Sequence, residues 1–370
     1  MAFRNIGVFR DSESLKWHLD RFTGHTPNEW AVYDDLGHFL NSGHPHNIAF
    51  LHSPYPFIHI NEYQARLDQI YDRCDLIFII CTELHDLTEE FIMRNDKPKI
   101  VYYLCGALNS TLKHATTEQF FDWFETSRYF YKNYLPEILG RLQPGPKERY
   151  FDVLLGRKKQ HRDYAYEFVK NTLLPGNTIV TYFNKLSPDF GTSGEKWIWE
   201  RKGVKFENTP KMTVDLVSYF GHNTSISQII PIDIYNLTAY SVVAETNCNS
   251  RYSFYTEKTA KPIIARRLFI MFAGRHYLRN LRKLGFRTFT GIIDESYDEE
   301  SDDLFRWEMA CRQMQWLCQQ DQSVILEKIK PIVDHNFKVI METDWLKNYI
   351  DNLESKIDTL VQQIESSPSS

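Results

Sequence analysis

The segment from Tyr240 to Gly274 most constrains the fold of this 370-residue chain, because its pattern predicts one β-α-β unit. Ser241 to Thr246 is an apolar, β-branched run typical of a buried strand, and a polar segment from Asn247 to Ser253 follows it. Thr256 to Arg266 has the spacing of a helix, and Leu268 to Phe272 is a second run of the buried-strand type. We therefore predict two neighbouring parallel strands joined through a helix.

The start of this predicted helix carries Glu257, Lys258 and Lys261. Free N–H groups at a helix N-terminus, together with lysines, attract an anion, and a carboxylate beside them accepts hydrogen bonds from paired hydroxyls. Phosphate and ribose together fit this combination of groups. The alternative is that these charges are solvated and only complement the helix dipole.

A second cationic loop follows the predicted strand Tyr150 to Leu155. Gly156 ends that strand, and Arg157, Lys159 and Arg162 come within the next six residues. Since both cationic loops follow strands of the same predicted domain, we expect them to face each other at one edge of its sheet. A solvated charged loop is the alternative.

The order of a strand, A-E-T-N, a short loop, Y-T-E-K, a helix, a strand and G resembles the donor-binding core of the fucosyltransferase family of GT-B glycosyltransferases. In that family a strand ending in F-E-N is followed by Y-[VI]-T-E-K. The resemblance implies that Glu257 and Lys258 hold the ribose and phosphates of a nucleotide sugar, and that Arg157 contacts the diphosphate. The segment from Glu245 has one residue more than F-E-N, so the family's Asn is either Asn247 or absent. The expected donor-binding residues are Arg157, Lys159, Arg162, Glu245, Asn247, Tyr255, Thr256, Glu257, Lys258 and Lys261.

The predicted fold class is α/β, with two Rossmann-like domains in a GT-B-like arrangement and a C-terminal amphipathic or coiled-coil helix. Alternation of helical segments with buried-type runs such as Asp75 to Cys81 and Lys99 to Cys105 indicates parallel sheets. The break at Pro144-Gly145-Pro146 marks the domain boundary. The predicted domains are an acceptor-side domain (1–143), a nucleotide-sugar domain (144–342), a heptad helix (343–366) and a disordered tail (367–370).

The candidate general base lies in the first domain. His52 follows a predicted strand in the sequence L-H-S-P, where many members of the resembled family have E-S-P with Glu as the base. Histidine can take this role because its ordinary pKa lies near neutrality. Glu62 is the second candidate, and His44, His46 and His59 also lie nearby in the sequence.

The C-terminal part of the chain is predicted to be helical, beginning with one long helix from Leu304 to Ile329. A narrow apolar stripe then recurs at steps of 4, 3, 4, 3 and 4, through Leu346, Ile350, Leu353, Ile357, Leu360 and Ile364. Such a stripe favours a homo-oligomer through 346–364. The alternative is an amphipathic helix that packs back on its own N-terminal domain.

Composition narrows the classes of partner and site. The net charge of −5 provides no general attraction to nucleic acid, although a local basic groove would allow it. Six cysteines without a C-x-x-C spacing indicate neither a zinc site nor a disulfide framework, and we expect no metal and no bound cofactor. No apolar run approaches the length of a membrane span, and the N-terminus has no apolar targeting region, so we expect a cytoplasmic protein.

The resemblance implies an inverting, metal-independent glycosyltransferase. Such an enzyme would move a sugar from a nucleotide-diphosphate sugar to a hydroxyl, with a GDP-sugar favoured, a UDP-sugar as the alternative and a glycan as the acceptor. Three alternatives stay open: a viral-type glycosyltransferase acting on DNA bases, a non-catalytic nucleotide- or sugar-binding oligomer, and a nucleotide-sugar epimerase of the same fold.

Overall fold

The computed structural model of the chain describes most of its residues. The described ranges are 6–10, 31–52, 60–120, 122–156, 158–172, 176–182, 198–199, 216–219, 221–225 and 228–366. The statements below refer to these ranges.

The described strands are β1 (Ile6–Arg10), β2 (Ala31–Tyr33), β3 (His46–His52), β4 (Leu76–Cys81), β5 (Ile100–Leu104), β6 (Gly106–Leu108), β7 (Thr116–Gln119), β8 (Arg149–Leu155), β9 (Thr178–Tyr182), β10 (Ile198–Trp199), β11 (Leu216–Tyr219), β12 (His222–Ser225), β13 (Thr238–Ala244), β14 (Tyr252–Phe254) and β15 (Phe269–Phe272). The described α-helices are α1 (Leu36–Leu40), α2 (Ile60–Tyr71), α3 (Asp86–Arg94), α4 (Asp122–Ile138), α5 (Gln160–Thr172), α6 (Ile232–Leu237), α7 (Glu257–Ile264), α8 (Tyr277–Lys283), α9 (Asp303–Leu317), α10 (Gln322–Glu342) and α11 (Trp345–Ser366). Within these ranges, no helix combines the length and the apolar character needed to cross a membrane.

The chain divides into two compact units. The first contains Met1–Asp122 and Asp344–Ser370, and the second contains Trp123–Thr343. The sequence placed the first boundary near 143, which is later than this division, because helix α4 packs within the second unit. Phe124 of α4 meets Phe286 with ring centroids 5.8 Å apart, and Ser127 Oγ donates to Gln228 Oε1 at 2.8 Å.

The first unit has a sheet whose described strands lie in the order β2-β1-β3-β4-β5-β7. All of their pairings are parallel. Strands β4 and β5 are almost completely buried, as expected for parallel strands covered on both faces. The chain direction across the sheet reverses between β1 and β3, so Arg10 and His52 end the two strands that flank the reversal.

The second unit has its own sheet, in the order β10-β9-β8-β13-β15 among the described strands. β10 is antiparallel to β9, and the other pairings are parallel. The predicted β-α-β unit is present as β13, α7 and β15, and the predicted α/β class is confirmed. Here the order across the sheet reverses between β8 and β13, which brings the loops after these two strands to the same edge.

A buried ion pair joins the strands of the second sheet near their amino ends. Arg267 Nη2 donates to Asp152 Oδ2 at 2.6 Å, and both side chains are almost fully buried. Arg267 also donates to Ser241 Oγ at 2.9 Å and to the Thr238 carbonyl at 2.7 Å. Because every one of these contacts is internal, the pair links the strands of the sheet and has no place in a ligand site.

The C-terminal helix α11 packs on the first unit. Tyr349 meets the rings of Tyr103 and Phe120, each with centroids 4.8 Å apart, and Tyr103 Oη donates to Asn352 Oδ1 at 2.7 Å. Lys356 Nζ lies 2.8 Å from Glu118 Oε1. Of the two alternatives, the structure therefore contains the helix packed on its own N-terminal part, whereas self-association stays a prediction.

The predicted single helix from Leu304 to Ile329 is wrong. Helix α9 ends at Leu317 and α10 begins at Gln322. Asp321 caps α10, because its Oδ1 accepts the Ser323 N–H at 2.7 Å and the Val324 N–H at 3.4 Å. A cap of this kind starts a new helix even where the apolar pattern continues.

Candidate functional site

The two loops predicted to face each other do meet at the carboxyl edge of the second sheet. Lys159 lies in the loop after β8, and its Nζ donates to Oδ1 of Asn247 in the loop after β13 at 2.8 Å. Arg157, which the sequence placed in the same site, lies outside the described residues. Both loops come from the strands that flank the reversal, which is where parallel α/β sheets bind ligands.

The Glu245 side chain is the structural centre of this edge. The residue is fully buried, and its carboxylate accepts hydrogen bonds from five donors. The donors are Thr246 N (3.0 Å), Thr256 N (3.3 Å), Thr256 Oγ1 (2.7 Å), Thr259 Oγ1 (2.7 Å) and Tyr277 Oη (2.9 Å). Glu245 was predicted to bind the donor, but its oxygens are occupied within the protein, so it fixes helix α7 against β13.

The main-chain carbonyl of Glu245 holds two side chains from the start of α5. Arg162 Nη2 and His161 Nε2 each lie 2.9 Å from this oxygen. Burial, together with the charge of Arg162, lowers the pKa of His161 to about 3, so its ring is neutral and donates through Nε2. Arg162 was also predicted to bind the donor; the structure places it in the wall of the site, where it orients the loop after β13.

Thr256 begins helix α7 as its N-cap. Its Oγ1 accepts the Lys258 N–H at 3.2 Å and donates to Glu245 Oε2. The cap and the buried carboxylate together fix where the helix starts. This position brings Glu257 and Lys258 to the carboxyl edge of the sheet, as the sequence predicted.

Three charged side chains lie together on the first turns of α7. Lys258 Nζ donates to Glu257 Oε1 at 2.6 Å and to Thr246 Oγ1 at 3.1 Å. Burial raises the pKa of Glu257, but the ammonium groups of Lys258 and Lys261 outweigh it, and the pKa lies below its ordinary value. Burial lowers the pKa of Lys261 to about 8. With Lys159 on the neighbouring loop, cations outnumber the one acid among these residues.

Tyr255 does not belong to this charged group. It is 2% exposed, and its ring packs on Phe124 and Tyr277 with centroid distances of 5.9 and 5.1 Å. Burial raises its pKa. Tyr255 was predicted to bind the donor; in the structure it is part of the core behind α7.

Two residues of this edge, Tyr277 and Thr259, were missed from the sequence, whereas Gly274 was part of the predicted pattern. Tyr277 and Thr259 bind the Glu245 carboxylate, and Gly274 admits the loop after β13 to the end of β15. A Cβ at Gly274 would stand 1.9 Å from the carbonyl oxygen of Asn249, so no other residue fits there. Gly274 comes two residues after the end of the buried strand β15 and was a usable signal, whereas Tyr277 had none.

The candidate bases lie in the first unit. His52 ends β3, and its Nε2 lies 3.4 Å from Thr82 Oγ1, while burial lowers its pKa. Glu62 is exposed near the start of α2. His46 stands at the opposite end of β3 from His52, and its Nδ1 lies 3.5 Å from Asp75, so it does not share the edge with His52. His59 lies outside the described residues.

Compared with models of known protein families, with curated proteins and with solved structures, the chain matches none of them. Within the described ranges, no three side chains of His, Cys, Asp or Glu are arranged to hold a metal ion. The function proposed below therefore depends on the residues of the chain itself.

Proposed function

We propose that the chain is a GT-B glycosyltransferase that binds a nucleotide-diphosphate sugar on its second unit and transfers the sugar to a hydroxyl, with a glycan as the favoured acceptor. The observation that carries this proposal is the meeting of the loops after β8 and β13 at the start of α7, where Lys159, Glu257, Lys258 and Lys261 lie. In this proposal the two sheets belong to two Rossmann-like domains.

The chemistry of these groups suits a nucleoside diphosphate. Lysine ammonium groups and the N–H groups of a helix N-terminus attract phosphate oxygens. A buried, ionised carboxylate such as that of Glu257 accepts the two hydroxyls of a ribose. When the sugar leaves, negative charge grows on the diphosphate, and the same cations stabilise the transition state because they are already in position.

The acceptor would need a base that removes its proton. His52 is the favoured candidate, since its lowered pKa keeps the imidazole neutral at pH 7 and able to take a proton. In the proposed reaction the acceptor oxygen attacks the anomeric carbon, its proton passes to the base, and the bond to the nucleotide diphosphate breaks. Glu62 remains the second candidate.

The first test measures donor binding. The full chain is titrated calorimetrically with GDP, UDP, dTDP and CMP, and with their sugars, and the preferred ligand is then titrated into Lys258→Ala. Losing one charge-assisted contact of about 1.5–3 kcal/mol should weaken binding by about 10- to 150-fold. The matched control is Lys328→Ala, which removes an exposed lysine from α10 in the same unit and should bind as the parent does.

Turnover separates the proposal from its alternatives. Release of the nucleoside diphosphate together with sugar on a glycan would support the transferase, and transfer to DNA would instead support the enzyme that acts on bases. Tight binding without release or transfer would make the chain a non-catalytic binding protein, whereas interconversion of nucleotide sugars without an acceptor would make it an epimerase. Failure of all nucleotides to bind contradicts the proposed donor site.

A further inference from the structure

Lys261 differs from the other lysines of the site in its surroundings. It lies one turn into α7, at i+4 from Glu257 and i+3 from Lys258, and it is partly buried. Within the described ranges no residue forms a hydrogen bond or an ion pair with its amine, whereas Lys159 and Lys258 both have acceptors. A half-buried ammonium group without an acceptor has lost part of its hydration, so an anion that reaches it gains binding energy.

The helix geometry directs Lys261 toward the site. Side chains of a helix lean toward its N-terminus, so the stem of Lys261 extends back over the turn that carries Glu257 and Lys258. Glu257 does not complete the pair, because its Oε1 is already bound to Lys258 at 2.6 Å. The amine therefore lies next to the proposed diphosphate position, with its hydrogen-bonding capacity unused.

We propose that Lys261 is a further cationic ligand of the bound diphosphate, and that its amine takes up a proton when the diphosphate binds. This inference rests on the proposed function, since it adds a ligand and a pH response to the same site. In the empty site burial makes the amine lose its proton at a lower pH than usual, and a diphosphate supplies negative charge that keeps it protonated to higher pH.

The charges around Lys261 support this coupling. Burial is the largest influence on its amine, Glu257 favours the ammonium form and Lys258 opposes it, and together they set the pKa at about 8. Several charged groups near α7 have partners of their own. Glu245 after β13 and Arg162 on α5 are hydrogen-bonded within the protein, and Lys330 pairs with Asp334 on α10, which packs against α7. Among the described residues, Glu257 is the acid that favours the ammonium form of Lys261, and a bound anion would add to its effect.

The expected pH dependence follows from that pKa. We take the bound diphosphate to keep Lys261 charged between pH 7 and pH 9. The contribution of Lys261 to the affinity then falls about tenfold over this range. Near pH 8, binding of the diphosphate takes up about half a proton. Arginine stays charged across this range, so Lys261→Arg should lose this part of the pH dependence.

The experiment is calorimetry with inorganic pyrophosphate on the full chain and on Lys261→Arg, at pH 7, 8 and 9, in buffers of different ionisation enthalpy. The titration of pyrophosphate itself is the same for both proteins, so it cancels when their affinities are compared. The expected result is an affinity ratio between the two proteins that changes about tenfold from pH 7 to pH 9. A third protein, Lys261→Met, should bind pyrophosphate more weakly at pH 7 than the parent.

Equal pH profiles for the parent and Lys261→Arg overturn the inference, and so does absence of pyrophosphate binding at every pH. The proposed function fails separately. If nucleotide binding depends on Lys258 but not on Lys261, the transferase proposal is retained and the role of Lys261 is rejected. If Lys261 takes up a proton on binding but no sugar is transferred, the anion site is retained and the transferase activity is rejected.

Discussion

Replacing Glu245 by glutamine tests the structural centre of the site. The substitution keeps the shape of the side chain but exchanges one acceptor oxygen for an NH2 group. The Glu245 carboxylate is fully buried and faces donors on both oxygens. In one orientation of the glutamine side chain its NH2 group faces the Thr246 N–H, and in the other orientation the NH2 group faces the Thr256 N–H. Hydroxyl donors can turn and accept, but a main-chain N–H cannot.

Either orientation therefore leaves one main-chain N–H without an acceptor, that of the partly buried Thr246 or that of the buried Thr256, which costs about 1–3 kcal/mol. Loss of the carboxylate charge also weakens the remaining bonds, so Glu245→Gln should lower the free energy of unfolding by about 2–4 kcal/mol. Glu245→Ala leaves every donor unpaired and adds a cavity, and it should cost about 4–5 kcal/mol or more.

Urea unfolding followed by tryptophan fluorescence measures the change on the full chain, with the transition of the second unit fitted separately. Glu327→Gln is the matched control, because Glu327 is exposed on α10 and its replacement should stay within about 0.5 kcal/mol of the parent. If Glu245→Gln behaves like that control, the carboxylate is not the acceptor that joins α7 to β13.

Two further predictions concern buried charges elsewhere in the second unit. Arg267→Ala leaves Asp152 buried and unpaired and should lower the free energy of unfolding by about 3–5 kcal/mol in urea, whereas a change under about 1 kcal/mol would contradict the buried pair. Asp298 accepts the Leu278 and Arg279 N–H groups at 2.8 Å each, and burial raises its pKa to about 6. Because the folded chain holds this proton more tightly, Asp298 contributes stability below pH 4 that is lost as the pH rises through 6. The stability of the parent relative to Asp298→Asn should therefore fall by up to about 3 kcal/mol between pH 4 and pH 7, and a flat difference would be the contrary result.

The α/β class could be predicted because the decisive strands are unambiguous. Leu76–Cys81 and Ile100–Leu104 are continuous apolar runs, and the structure buries both. The junction of the two cationic loops was also predictable, since the carboxyl ends of parallel strands meet at one edge of a sheet. That rule predicted that the two loops meet without any knowledge of the strand order, and the structure shows Lys159 of one loop bound to Asn247 of the other.

The roles of individual side chains at the same edge could not be predicted. Glu245, Arg162 and Tyr255 have the residue types of a nucleotide site, but burial and internal partners decide what each does. Donors such as Tyr277 come from elements far along the sequence, so no local pattern reveals that the Glu245 carboxylate is already occupied. Strand β1 was missed as well, because five residues beside the start of the chain give a weak pattern.

Helix α11 shows a different limit of prediction from the sequence. Its stripe fits a partner helix, and the same stripe fits any apolar surface of matching width. In the structure Tyr349 of α11 packs on Tyr103 and Phe120, which are distant in the sequence. Periodicity therefore predicted that the helix has an apolar face but not what covers that face.

The origin of the first unit in two distant parts of the chain also affects how the protein is made. Residues up to 122 leave the ribosome early, but α11, which covers Tyr103 and Phe120, follows more than two hundred residues later. Until then these aromatic rings have no cover from α11, and a newly made chain is open to aggregation during that interval. A stop codon that removes only α11 would thus leave Tyr103 and Phe120 of the first unit without this cover. A fragment that ends at 122 would expose the same two rings.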